Sequence, residues 1–148
     1  MIQDPSKVYL HISFSTLDCQ QLIGAAMRQI LEPFTVDVLN SMGTHPECLY
    51  IHSDHLHVLC TLPGNMSPNN LVSRLKKSTC IWLNRRMAEN FAWQDGHAVF
   101  SVSPLKVNAV KKLIRNQPYH HEKITWRDEM KIFYEFYQIK YDNEMIWR

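Results

Sequence analysis

Residues 7–14, KVYLHISF, alternate without interruption: Val8, Leu10, Ile12 and Phe14 fall on one side, Tyr9, His11 and Ser13 on the other. This period of two predicts a half-buried strand. From 16 to 32 the apolar positions Leu22, Ile23, Ala26, Met27, Ile30 and Leu31 recur at helical spacing. Pro33 is expected to end that helix, because proline removes a backbone donor. Short strands are expected at 35–39 and 47–52. Ser53 and Asp54 then supply a turn, and 55–61, HLHVLCT, reads as the second arm of a hairpin. After the break at Pro63, Gly64 and Asn65, Ser67 and Pro68 place a capping hydroxyl before a proline preset for the first helical turn. That helix is predicted to run to 89 and to bury Leu71, Val72, Leu75, Thr79, Trp82 and Leu83. Residues 97–102 alternate again. Ser103 and Pro104 repeat the start signal for a helix to 117, stopped by Pro118, and Thr125 with Asp128 opens a last helix towards 138. The order β-α-β-β-β-α-β-α-α, without repeats or a long linker, predicts one α/β (α+β) domain over 1–148, with helices packed on an antiparallel sheet.

Composition narrows the function classes. With 148 residues, 45% of them apolar and 20% charged, the chain can bury a core without disulfides or structural metal. Cys19, Cys48, Cys60 and Cys80 include no Cys-x-x-Cys pair, which argues against a zinc ribbon or a secreted scaffold and for thiols in a reducing cytoplasm. The opening MIQDPSK lacks the order of a signal peptide and no apolar run reaches about 18 residues, so a cytoplasmic location is expected, with no membrane span. The net charge of +2 hides an uneven distribution. Residues 55–121 carry nine cations against two acids, Glu89 and Asp95, while the remainder is net acidic. A central basic block suits a polyanion surface; solvated helix faces are the alternative.

The sharpest chemical feature is His55-Leu56-His57. Alternate strand residues share a face with Cα atoms ~6.7 Å apart, close enough for two imidazoles to share a divalent ion. The pair falls opposite the apolar stripe of Leu56, Val58 and Cys60. Two hydrogen-bonded histidines without an ion are the alternative, and a metal site would require a third ligand. His11 would line the same pocket if its strand neighbours the histidine strand, and His120 and His121 are further candidates for metal or phosphate.

The segments YLHISFST, SDHLHVLCTLP, SPNNLVSRLKKST, FAWQDGHAVFSVS and IRNQPYHH, in that order, resemble the single-tyrosine HUH transposases of insertion sequences that move as single-stranded DNA, including their REP-associated relatives. The resemblance covers nearly the whole chain. It implies a ferredoxin-like sandwich, a homodimer, and recognition of hairpin or single-stranded DNA. In that family two histidines and a glutamine bind Mg²⁺ or Mn²⁺, and a tyrosine four residues before the glutamine forms a 5′-phosphotyrosine link. Carried onto this chain, the metal ligands are His55, His57 and Gln117. The nucleophile does not carry over, because four residues before Gln117 stands Leu113. Four residues apart on a helix means about 40° around and one turn along, so the two positions share a face. With Val110 and Ile114, Leu113 reads as packing. Tyr119 is the nearby substitute, but it lies beyond Pro118, where a helix points it elsewhere.

Arg74, Lys76, Lys77, Lys111, Lys112 and Arg115 are the candidate DNA-phosphate contacts, and Trp82, Phe91 and Trp93 are expected in the core rather than as base-stacking platforms. The resulting expectation is a transposase-like DNA-binding protein whose strand cleavage is in question. The alternative is a non-enzymatic hairpin or single-strand DNA-binding regulator descended from a transposase.

Overall fold

A computed structural model describes residues 5–88 and 90–147. Four strands form an antiparallel sheet: β1 (Tyr9–Ser15), β2 (Pro46–Ile51), β3 (His55–Thr61) and β4 (Ala98–Val102), in the order β2-β3-β1-β4. With α1 (Ala25–Ser41) after β1 and α2 (Pro68–Asn84) after β3, the topology is the ferredoxin-like split β-α-β. β1 pairs with β3 so that Ser13 faces His57 and Ser15 faces His55, and His52 N–H donating to the His55 carbonyl at 2.7 Å closes the β2–β3 hairpin.

Side-chain alternation divides the sheet cleanly. Leu10, Ile12, Phe14, Leu56, Val58 and Cys60 face α1 and α2 in the principal core. The opposite face carries His11, Ser13, His55 and His57, covered by helices that follow β4: α3 (Val107–Arg115), α4 (Gln117–His120) and α5 (Trp126–Phe136), with a short α6 (Asn143–Trp147) beyond. α3 packs over Leu59 and Val102 through Ile114, and α5 covers Ala98 and Phe100 through Trp126, Met130 and Tyr134. The histidine face is therefore interior. Trp82 stacks on Phe34 with ring centroids 5.0 Å apart, while Phe91 and Trp93 are buried, as expected for core aromatics.

Several expectations need correction. No strand forms at 35–39, because α1 continues through Pro33. Pro33 is exposed, so the carbonyl it leaves unpaired faces water, and Leu31, Thr35 and Leu39 form a buried stripe whose packing overrides the strand preference of the β-branched residues. Residues before α1 form a 3-10 turn, Leu17–Cys19, with positive φ at Asp18 and Cys19, rather than the first half of a helix. α2 ends at Asn84, and the expected end at Glu89 lies outside the described residues. The helix expected to reach 117 stops at Arg115. Asn116 breaks it, and Pro118 sits in the first turn of α4 instead of terminating anything. The caps proposed at Ser67 and Thr125 form, accepting from Asn70 N–H at 3.1 Å and Asp128 N–H at 3.2 Å.

Candidate metal centre

β3 delivers both histidines, fully buried, with the same ring atom turned inward. His55 Nδ1 is held 2.7 Å from Asp54 Oδ1, and His57 Nδ1 lies 2.8 Å from His11 Nε2. Each Nε2 is thereby left to converge on the space beneath α4 and α5. β1 does neighbour the histidine strand, and His11 supports His57 from there. This is the outer shell expected around metal-binding imidazoles, where the second nitrogen of each ring is tied to a neighbour.

The 115–117 break brings Gln117 to the same space. Its side chain is fully buried, with Oε1 3.3 Å from His55 Nε2 and Nε2 donating to Glu129 Oε2 at 2.8 Å. Glu129, from α5, was not expected. Its Oε1 accepts from His57 Nε2 at 2.7 Å, while His120 Nε2 lies 2.9 Å from Oε2 and His121 Nε2 3.5 Å from Oε1. One ligand atom each from His55, His57, His121 and Glu129 lie within 4.8 Å of one another. An inward-facing carboxylate thus joins a centre that sequence reasoning had described with neutral ligands alone.

Burial sets the titration of the His55 and His11 rings. It pushes the His55 ring down to about 4, against the opposing pull of Asp54, and the His11 ring down to about 3, with His57 adding to the effect. Burial also disfavours the Glu129 carboxylate, but hydrogen bonds from His121 and His57 outweigh it and hold Glu129 well below the usual carboxylate range. For His121 burial opposes the charge of Glu129, and the carboxylate wins, raising the ring. The donor set fits a divalent ion. The buried His121 Nε2 has only the 3.5 Å approach of Glu129 Oε1, a contact at the long limit of a hydrogen bond, and so is weakly engaged and able to take a ligand.

Comparison with known proteins decides the family. The family described as "Transposase IS200 like" matches residues 5–117, well over half of the chain. The chain belongs to the IS200-like transposases. A crystal structure from Deinococcus radiodurans R1, provisionally named a transposase, superposes with a TM-score of 0.63 at 17% identity, covering 79% of this chain and 98% of that one. A REP-associated tyrosine transposase bound to a REP hairpin superposes with a TM-score of 0.64 at 14% identity, covering 84% of this chain and 74% of that one. No curated protein matches the chain.

This IS200-like chain has no hydroxyl at position 113. Leu113 packs against Leu59, Val102 and Ile114, and it lines a mostly apolar cleft of about 570 Å³ together with Val110, Phe133 and Phe136, bordered by His120 and Glu129. Tyr119 is 71% exposed on α4 and points away from the buried centre. The basic residues do not form one groove. α2 packs on the sheet face opposite the histidines, so Arg74 and Lys77 are exposed on that far side. Lys76 is turned inward, where its ammonium donates to the carbonyls of Gln94, Asp95 and Gly96 and sits 5.5 Å from the Phe14 ring centroid. Its donors are engaged by the chain itself. On α3, beside the centre, Lys111 pairs with Glu47 at 3.1 Å, leaving Lys112 and Arg115 exposed.

Glu129, His120 and His121 all lie beyond the span matched by the family. A signal for Glu129 was present in the sequence: it falls on the apolar stripe of α5 with Trp126, Met130 and Tyr134, where an acid must find buried partners.

Proposed function

We propose that this IS200-like transposase is a metal-dependent DNA-binding protein, acting on hairpin or single-stranded DNA, whose helical nucleophile has been replaced by Leu113. His55, His57 and Gln117 are its metal ligands, joined by His121 and Glu129. The observation that carries this reading is the convergence of two strand imidazoles and a helix carboxamide, 3.3 Å apart at His55 Nε2 and Gln117 Oε1, in one buried cluster. A divalent ion there, Mg²⁺ or Mn²⁺, would supply charge stabilisation to phosphoryl oxygens. The chain's own residues do the rest. His11 and Asp54 fix the ring orientations, and the helices of the C-terminal third exclude water from the pocket.

DNA as partner is supported by the hairpin held by the REP-associated neighbour, and Lys112 and Arg115 are the exposed cations beside the centre. Arg74 and Lys77 would meet DNA only where it wraps to the opposite face. The protein works as a cytoplasmic homodimer, a single domain from 1 to 148. The non-enzymatic regulator is the second reading, favoured by the absence of a hydroxyl at 113.

The test is titration of Mn²⁺ by calorimetry, followed by hairpin binding in rising salt. Wild type should bind one ion per chain, and His57→Ala should not. Hairpin affinity should fall log-linearly with salt, with a slope of about −0.9 for each duplex phosphate contacted. Absence of both metal and hairpin binding in a folded protein would overturn the assignment.

A further inference from the structure

The cleft of about 570 Å³ between α3 and α5 runs up to the buried centre, because His120 and Glu129 belong to both. β4 forms its floor, Val110 and Leu113 of α3 one wall, and Phe133 and Phe136 of α5 the facing wall, with Tyr137 at its edge. α5 lies beyond the residues 5–117 matched by the family, so the aromatic wall is a feature of this chain outside the matched span.

Two rings of that wall are fixed from behind. Phe133 and Tyr137 lie nearly parallel to Phe100, with centroids 5.2 and 4.7 Å from it, and the Tyr137 hydroxyl donates to the Ser101 carbonyl at 2.8 Å. Phe136 is placed differently. It is 77% exposed, meets Tyr137 edge-on at 5.3 Å, and has no ring lying flat on it among the described residues. Ile132, one turn earlier on α5, also lines the cleft and is exposed. A rigid aromatic wall that ends in an open ring is a surface prepared for another flat apolar group.

The ends of the cleft are polar. Lys106, exposed at the start of α3, stands at one end, and the other end is the mouth of the metal centre at His120. The Glu129 carboxylate there is already engaged by His57, Gln117 and His120. The fitting occupant is apolar in its middle and anionic at its ends. A second copy of this chain would bring the same cations to the contact. A nucleotide combines a flat base with a phosphate on either side, and the volume falls in the range of roughly 300–1,000 Å³ usual for ligands of that size.

We propose that this cleft is a nucleobase slot: Phe136 stacks on one unpaired base of single-stranded DNA, whose flanking phosphates face Lys106 and the mouth of the metal centre. The slot deepens the metal and DNA reading above and rests on it. Only an unpaired base can turn its face to the ring, so the slot distinguishes a hairpin's single-stranded arm from its paired stem.

The experiment measures, by fluorescence anisotropy with Mn²⁺ present, the affinity of the full chain for a blunt DNA hairpin and for the same hairpin carrying a short unpaired arm that contains 2-aminopurine. In wild type the arm should tighten binding and the fluorescence of the 2-aminopurine should be quenched. Phe136→Ala should lose the quench and weaken binding of the armed hairpin at least about 5-fold. Phe136→Leu, which keeps the apolar bulk without the flat face, should behave like Phe136→Ala, and Phe136→Trp should behave like wild type. The exposure of Phe136 makes all three substitutions compatible with folding. An arm that adds no affinity in wild type, a quench that persists in Phe136→Ala, or a Phe136→Leu protein equal to wild type would each overturn the slot while leaving the DNA reading in place. So would sedimentation in which Phe136→Ala separates a dimer while arm binding stays intact, since the cleft would then hold a second copy. Wild type that binds neither probe would remove the DNA reading and the slot with it.

Discussion

Acid should loosen the metal-free protein well above the pH at which carboxylates titrate, and two buried histidines set the size of the effect. His55 and His11 are held neutral by burial, with folded values of about 4 and about 3, against an ordinary value of 6.5. Both folded values lie below the unfolded one, so the unfolded chain binds more protons as pH falls. Their contribution is complete above pH 6.5 and drains away as pH drops from 6.5 through the folded values. At about 1.4 kcal/mol per unit per group, the fall from 6.5 to 5 removes about 2 kcal/mol for each histidine, or about 4 kcal/mol for the pair. His121, raised by Glu129, works in the opposite sense and trims this sum, while the depressed Glu129 and Asp54 add their own losses only at lower pH. For a domain stable by about 5–15 kcal/mol, such a loss is large. Urea unfolding in a chelator at pH 7.5 and pH 5 measures it directly. His11→Gln, which removes one titrating ring but can still donate to His57, should flatten the pH slope by roughly half between those values. Equal stability at the two pH values, or equal slopes for wild type and His11→Gln, would refute the assignment of buried neutral rings.

Glu129→Ala strips His57, Gln117, His120 and His121 of their common partner, and should cost about 3–5 kcal/mol in urea melts of the metal-free protein. Lys76→Ala should lower stability by about 1–3 kcal/mol, because three carbonyls lose their donor, while leaving hairpin affinity unchanged. Lys112→Ala and Arg115→Ala should do the reverse, each lowering the salt slope of hairpin binding by about 1 at unchanged melting temperature. Leu113→Tyr should give an adduct that maps to position 113, since that side chain borders the cleft shared with His120 and Glu129; a folded, hairpin-binding variant that stays inert would show that the 113 geometry has been lost.

What was legible in the sequence was whatever a local period or pair could encode. The alternation in β1 and β3 needs no tertiary information, and it fixed the histidines opposite the apolar stripe; the ferredoxin-like arrangement followed from the resemblance and the sheet order bears it out. Pro33 misled because its effect depends on exposure: on a solvent-facing position the unpaired carbonyl is hydrated, and the stripe of Leu31, Thr35 and Leu39 holds the helix together. Gln117 was placed on one helix with Leu113, whereas Asn116 separates them. The family match from 5 to 117 agrees with the resemblance drawn from the motifs. Glu129 was missed because its partners are distant in sequence, and Lys76 was misread because its charge said nothing about the loop at 94–96 that it would meet.

The carboxylate of Glu129 acts as a clasp. It fastens α5 to the strand at His57 and to the 117–121 segment at Gln117 and His120. Those same oxygens and imidazoles are what an arriving cation would claim. Ion loading and the seating of the C-terminal third are therefore not independent equilibria in this molecule: each draws on one small stock of donor atoms, and a shift in either must register in the other.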